Sequence, residues 1–239
     1  MSTYVLVHGA WNSGEAWSRV VPLLTAAGHR VLAPSLTGHG DTAHLLGPDV
    51  DLDTHVADVV NLIVDADLTE VILVGHSYAG MVVTSVLNEI PDRIGHLVYL
   101  DAMIPEHGES ALDVIPMTQF LIDQAAGTNN PWRIPPLPEM PLPAGLFGVT
   151  DPADQAWLRT MLSDEAVRCF QQPARLDNPD STRIARTHIE CTVGAPPNRR
   201  PVPPVQPDGT PAQVWELPTG HDCMITMPTE LAALLLKLA

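Results

Sequence analysis

Positive charge is scarce in this chain: 12 lysines and arginines stand against 28 aspartates and glutamates, a formal charge of −16. That balance argues against a nucleic-acid or anionic-membrane partner and fits a protein that handles small neutral or apolar molecules. Cysteine is scarce too. Three residues, Cys169, Cys191 and Cys223, give an odd number with no paired spacing, which excludes a disulfide framework and predicts reduced thiols in a cytoplasmic setting. No C-x-x-C or H-x-x-x-H motif offers a metal site, and no G-x-G-x-x-G follows the first apolar run, so neither a metal nor a dinucleotide cofactor is expected. No run reaches the roughly eighteen apolar residues of a membrane span, and the N-terminus has no basic segment ahead of an apolar one. Neither a signal peptide nor a membrane partner is expected.

What is present is a large apolar content, 45% of 239 residues, enough for the core of one domain. Apolar runs alternate with helical spacing. Tyr4 to Val7, Arg30 to Ala33, Glu70 to Val74 and His96 to Leu100 read as buried strands. Glu15 to Ala27, Leu52 to Asp65 and Ala79 to Ile90 read as the helices between them, closed by Gly28 in the first case and stopped by Pro91 in the last. Strands of continuous apolar character alternating with helices predict an α/β fold, with a mostly parallel sheet covered on both faces.

The regular pattern stops after Asp101. Residues 105 to 186 carry no strong strand signal, and six prolines among the thirteen residues Pro131 to Pro143 forbid a long helix there. We read 1–239 as a single domain with a cap insertion at about 105–186. Strands resume at Thr187 to Val193 and Gln213 to Leu217, and a last helix covers about Thr229 to Leu238. Between those strands, residues 194 to 211 hold seven prolines and read as a solvent-exposed irregular loop.

The most informative stretch is Val71-Ile72-Leu73-Val74-Gly75-His76-Ser77-Tyr78-Ala79-Gly80, a strand that breaks at a glycine-flanked serine and continues as a helix. A serine hydroxyl is a poor nucleophile unless it is presented on such a turn, beside a base and near backbone N–H donors. In an open parallel sheet, catalytic groups gather at the carboxyl ends of the strands. Ser77, Asp101 and His221 all sit at such ends. His221, in the turn before the last helix, is the expected base, while His8, His39 and His76 read as packing or hydrogen-bonding residues.

Several of these segments resemble one known family. Val5-Leu6-Val7-His8-Gly9-Ala10-Trp11, Leu36-Thr37-Gly38-His39-Gly40, the serine turn, Leu97-Val98-Tyr99-Leu100-Asp101-Ala102 and Thr219-Gly220-His221-Asp222 are similar to segments of the α/β-hydrolase superfamily, in particular bacterial esterases related to plant methyl esterases and hydroxynitrile lyases. The resemblance implies a Ser-His-acid triad and an oxyanion hole made by the backbone N–H groups of Ala10 and Tyr78. The chain departs from the family at the acid. The matching position is Gly194, and no aspartate or glutamate lies between residues 191 and 207. Asp101, from which some α/β-hydrolases supply the acid, is the expected substitute, with Asp208 and Asp222 as alternatives. Gly9 and Asp222 stand where the lyases carry threonine and lysine, which argues against cyanohydrin cleavage.

The expected activity is hydrolysis of a small, mostly apolar carboxylic ester through an acyl-enzyme, without cofactor. Ser77 would be the nucleophile, His221 the base and Asp101 the acid. Trp11, Met103 and Trp132 are expected to line the substrate pocket, with Phe120, Phe147 and Trp157 as further candidates. Two rivals are a non-hydrolytic lyase, cyclase or isomerase of the same fold, motivated by the missing acid at Gly194, and a ligand-binding protein without catalysis.

Overall fold

A computed structural model of the protein describes residues 1–195 and 199–239. Strands β1 (Thr3–Val7), β2 (Arg30–Leu32), β3 (Val71–His76) and β4 (Ile94–Leu100) are followed by a short antiparallel pair, β5 (Arg133–Ile134) and β6 (Glu165–Ala166), then by β7 (Arg186–Cys191) and β8 (Gln213–Leu217). Among the described residues the main sheet runs β2-β1-β3-β4-β7-β8, with every pairing parallel. The strands β1 and β3 at its centre are apolar on both faces because both are covered, whereas the edge strands β2 and β8 are largely exposed or half-buried. Val5, Val7, Leu73 and Leu97 pack into one core layer, while Tyr4, Leu6, Ile72, Val74 and Val98 pack into the other. Each fully buried aliphatic side chain contributes about 1.5–3 kcal/mol, and successive residues of the central strands feed the two layers in turn.

Helix α1 (Val21–Ala26) lies with the layer built on Tyr4 and Leu6, and α2 (Leu52–Asp65) and α3 (Ala79–Glu89) with the other. The bounds of α2 agree with its periodicity because its start is fixed chemically: Asp51 accepts from the Thr54 backbone and Thr54 returns a bond to the Asp51 N–H, a reciprocal cap. The single helix expected over Glu15 to Ala27 is instead a 3₁₀ turn, Gly14–Trp17, followed by α1. Pro22 explains the break: it has no N–H to donate and its ring opposes the carbonyl one turn earlier, so it sits in the first turn of a new helix.

Residues 105–186 form α4 (Ala111–Val114), α5 (Thr118–Ala126), the β5–β6 pair, α6 (Pro152–Met161) and α7 (Val167–Gln171). The chain closes with α8 (Cys223–Thr226) and α9 (Pro228–Leu235). The 105–186 segment meets the sheet edge where β1 and β8 end. Trp11 Nε1–H donates to the Ile134 carbonyl at 3.1 Å, the Ser163 N–H donates to the Trp11 carbonyl at 2.9 Å, and the Asp222 N–H donates to the Phe147 carbonyl at 2.8 Å. Gly148 and Gly220 cross backbone against backbone, so a Cβ on either would strike the other.

The 194–211 stretch is irregular and mostly exposed, as expected, but a few of its side chains dock on the body of the protein; residues 196–198 lie outside the described residues. Arg199 and Arg200 are half-buried and anchored. Arg200 makes a two-pronged contact with Glu109 at 2.5 and 2.7 Å, and Gln206 Oε1 accepts from the Arg186 N–H at 2.8 Å. Composition predicted irregular backbone correctly, but proline content carries no information about where arginine side chains dock.

Candidate active site

Ser77 leaves β3 with φ +56°, a left-handed conformation that costs a serine about 1–2 kcal/mol. The strain is held by the surroundings. Its N–H donates to the Leu100 carbonyl at 3.2 Å, and its carbonyl accepts from Met103 N–H at 3.0 Å. The small residues flanking it are sterically required: a Cβ on Gly75 would lie 2.6 Å from Val83 Cγ2, and one on Gly80 would collide with the Met103 carbonyl. Trp11 (φ 65°), Asp101 (φ 44°) and Phe147 (φ 50°) share this unusual backbone, all close to the same strand ends.

His221 Nδ1–H donates to Asp101 Oδ2 at 2.5 Å, across 120 residues of sequence. The other carboxylate oxygen of Asp101 accepts from the Cys191 N–H at 3.0 Å and from Arg199 Nη1 at 2.5 Å, while Arg199 Nε lies 3.5 Å from Glu190. Burial disfavours the Asp101 anion, but the His221 hydrogen bond and charge, Arg199 and the Cys191 amide outweigh it, and its pKa lies well below the usual carboxylate range. The opposite balance holds at His221. Burial lowers its pKa, the hydrogen bond and charge of Asp101 raise it by more, and the net position is above the ordinary 6.5.

His76 is buried, and its Nε2–H donates to the His221 carbonyl at 3.1 Å with the two rings 4.6 Å apart. Burial holds its pKa well below 6.5, so it is a neutral prop beneath the turn. Of the alternative acids, Asp208 is exposed and caps its own turn through Thr210. Asp222 is buried against Asn12 at 3.4 Å and His76 at 3.7 Å, and burial raises its pKa to about 6. Only Asp101 reaches the His221 ring.

Ala10 and Tyr78 sit at the turns after β1 and β3. Neither of their amides donates to a backbone acceptor among the described residues. The Tyr78 side chain runs into the core, where its hydroxyl lies 3.2 Å from His55 Nδ1 and its ring meets Phe170 edge-on at 5.6 Å. His55 Nε2 pairs with the Thr37 carbonyl at 3.0 Å, which fixes the tautomer and makes Nδ1 an acceptor. Gly9 carries no side chain for a steric reason, since a Cβ would stand 2.7 Å from Ser77 Cβ. His8 is structural: its Nε2 accepts from the Leu36 N–H at 3.0 Å.

Trp11 and Met103 are buried beside the serine turn, and Trp11 packs against Phe147 and Phe170 at 5.8 and 5.7 Å. Trp132 is half-buried on the 105–186 segment, two residues before the Ile134 carbonyl that Trp11 contacts. Phe120 is exposed on α5, and Trp157 lies under the Arg19 guanidinium at 4.6 Å on α6, so neither belongs with them. Among the described residues, two groups bring metal-ligating atoms within 4.8 Å of one another: His39, His55 and Glu165, and His76, His221 and Asp222. In the first, His39 Nε2 lies 3.1 Å from Glu165 Oε2, both side chains buried, and His39 Nδ1 lies 2.7 Å from Ser163 Oγ.

Sequence reasoning missed Arg199 and the Gly148–Gly220 crossing. Both join residues far apart in the chain, and neither has a local pattern.

Residues 4–234 match the model of the alpha/beta hydrolase family. The chain is 38% identical to a carbendazim hydrolyzing esterase of Nocardioides sp. (strain SG-4G), over 97% of both chains. A shorter match, 36% identical, joins 43% of this chain to 40% of salicylic acid-binding protein 2 of Nicotiana tabacum. Among solved structures, an extracellular alpha/beta-hydrolase from a Paenibacillus species superposes with a TM-score of 0.80 at 25% identity, covering 100% of this chain and 99% of that one.

Proposed function

The chain belongs to the alpha/beta hydrolase family and is an ester hydrolase within it, and from that premise we propose that it cleaves a small, mostly apolar carboxylic ester through an acyl-enzyme on Ser77. The observation that carries this reading is the 2.5 Å bond between His221 and Asp101 at the strand ends beside Ser77. With Nδ1–H committed to the carboxylate, Nε2 is left unprotonated to take the serine proton as Oγ attacks the ester carbonyl. The Ala10 and Tyr78 amides receive the charge that develops on the carbonyl oxygen. His221 then delivers its proton to the leaving alkoxide and activates water to release the acid, while Asp101 stays ionised and offsets the imidazolium. Trp11, Met103 and Trp132 would face the apolar part of the ester. Asp101 takes up the task that Gly194 cannot perform, which weakens the case for a non-hydrolytic enzyme of the same fold. Three free, buried cysteines favour a reducing compartment such as the cytoplasm, and no helix among the described residues is long and apolar enough to cross a membrane.

The test is a burst of p-nitrophenol from a p-nitrophenyl ester, followed by labelling with a serine-directed phosphonate. The expected result is one label per chain, located on the Ser77 peptide, with turnover lost in proportion. Labelling elsewhere, or full labelling with turnover intact, would overturn the reading.

The electrostatics add a pH expectation. His221 must be neutral to act as base, so the acid limb of kcat/KM is expected above pH 6.5, the direction in which Asp101 shifts the ring. Arg199 opposes that shift as a cation near the imidazolium. Removing it in Arg199→Gln is expected to move the limb to still higher pH, and a pH profile in which the limb stays put or falls would contradict the assignment.

A further inference from the structure

Between β7, the end of β4 and the 203–212 stretch lies a second cavity, of about 320 Å³, which neither Ser77 nor His221 lines. Tyr99, Ile104, Pro203 and Val205 form apolar walls, and Arg186, His188 and Gln206 contribute the polar groups, the Gln206 amide being taken up by the Arg186 N–H at 2.8 Å and the Pro211 carbonyl at 3.3 Å. Arg186 is 8% exposed, and its Nε is fully buried without a hydrogen-bond partner. The contact its guanidinium makes, Nη2 to the Ser181 carbonyl at 3.5 Å, is at the limit of a hydrogen bond. Among the described residues no carboxylate pairs with it; Glu190 on the same strand is turned to Arg199 instead. His188 stacks on Tyr99 with centroids 5.1 Å apart and planes 7° from parallel, and its buried Nδ1 also lacks a partner. Burial and the neighbouring arginines push its pKa down to about 4, so it stays neutral beside the cation. The Tyr99 hydroxyl is already taken by Thr84 at 2.7 Å.

A buried guanidinium without a counter-ion is expensive to keep, and an apolar residue of similar size would be more stable at the same position. The feature therefore points to an anion that supplies the missing charge. We propose that this cavity binds a small monocarboxylate with an apolar body, its carboxylate gripped by the Arg186 fork and its body laid against Ile104, Pro203 and Val205. A single cation beside a neutral imidazole matches one negative charge, and the apolar walls disfavour inorganic phosphate, which brings more charge and no apolar surface. The volume falls within the range of small-molecule sites. In a chain of net charge −16, an anion site needs a dedicated cation of this kind.

Calorimetric titration with benzoate tests the assignment. The expected result is saturable one-to-one binding by the wild type, at least tenfold weaker binding of benzamide and of inorganic phosphate, and unchanged benzoate binding in His221→Ala. Arg186→Met is expected to lose benzoate binding at least tenfold while melting at a higher temperature than the wild type. Val205→Trp, which fills the cavity from its exposed rim, is expected to block binding with the arginine in place. Absence of saturable benzoate binding by the wild type would overturn the proposal. So would loss of binding in His221→Ala, which would place benzoate at the serine centre, or retention of binding in both Arg186→Met and Val205→Trp.

Discussion

Asp101→Asn is expected to lower kcat on an aryl ester by about 10⁴-fold, the scale of loss when a triad acid becomes an amide, while the protein folds normally. The geometry dictates the loss. Asp101 Oδ2 accepts the His221 Nδ1–H at 2.5 Å, and an amide NH₂ at that place would donate to Nδ1 instead. The imidazole would then carry its proton on Nε2 and could not take one from Ser77. The fold should survive, because asparagine tolerates φ 44° as aspartate does and its remaining oxygen can still accept from the Cys191 amide at 3.0 Å. Asp222→Asn is the matched control. That residue adjoins His221 in sequence but faces Asn12 and His76, so its substitution is expected to change kcat by less than about tenfold, well short of a triad loss. Equal losses in the two variants, or a small loss in Asp101→Asn, would remove Asp101 from the triad.

Ser77→Gly is expected to abolish turnover by about 10⁵- to 10⁶-fold and yet to be more stable than Ser77→Ala. Ordinarily glycine is the worse residue by about 0.5–1 kcal/mol, because it loses more backbone freedom on folding. At φ +56° the order reverses. Alanine retains a left-handed strain of about 1–2 kcal/mol that glycine does not have, so the glycine variant should melt a few degrees higher, at about 2–4 °C per kcal/mol for a chain of this size. Calorimetry of the two inactive proteins reads this directly. A glycine variant that melts lower than the alanine variant would mean that the serine turn is not strained.

Legibility followed the range of the physical signal. The strands β1, β3 and β4 and the bounds of α2 were readable because a continuous apolar run and a capping pair act over a few residues. The serine turn was readable for the same reason. Expecting Asp101 near His221 needed one more step, that strand ends of a parallel sheet converge, and the structure does bring the two together. What was not readable depends on distant pairs. The docking of Arg199 on Asp101 spans 98 residues, and nothing in the proline-rich, mostly exposed 194–211 stretch marks which of its side chains turn inward. The break before α1 was legible in principle. Pro22 lacks an N–H, a local signal that opposes the apolar periodicity running through Glu15 to Ala27.

The crossing of Gly148 over Gly220 ties the 105–186 segment to the turn that carries His221. No side chain separates the two backbones, and the Asp222 amide is bonded to the Phe147 carbonyl one residue away, so the two stretches are in direct backbone contact. Swinging the segment outward as a lid would carry His221 away from Asp101 and the serine turn. A chimera that grafts a different segment onto this sheet keeps His221 in place only if the graft brings a glycine to the seam.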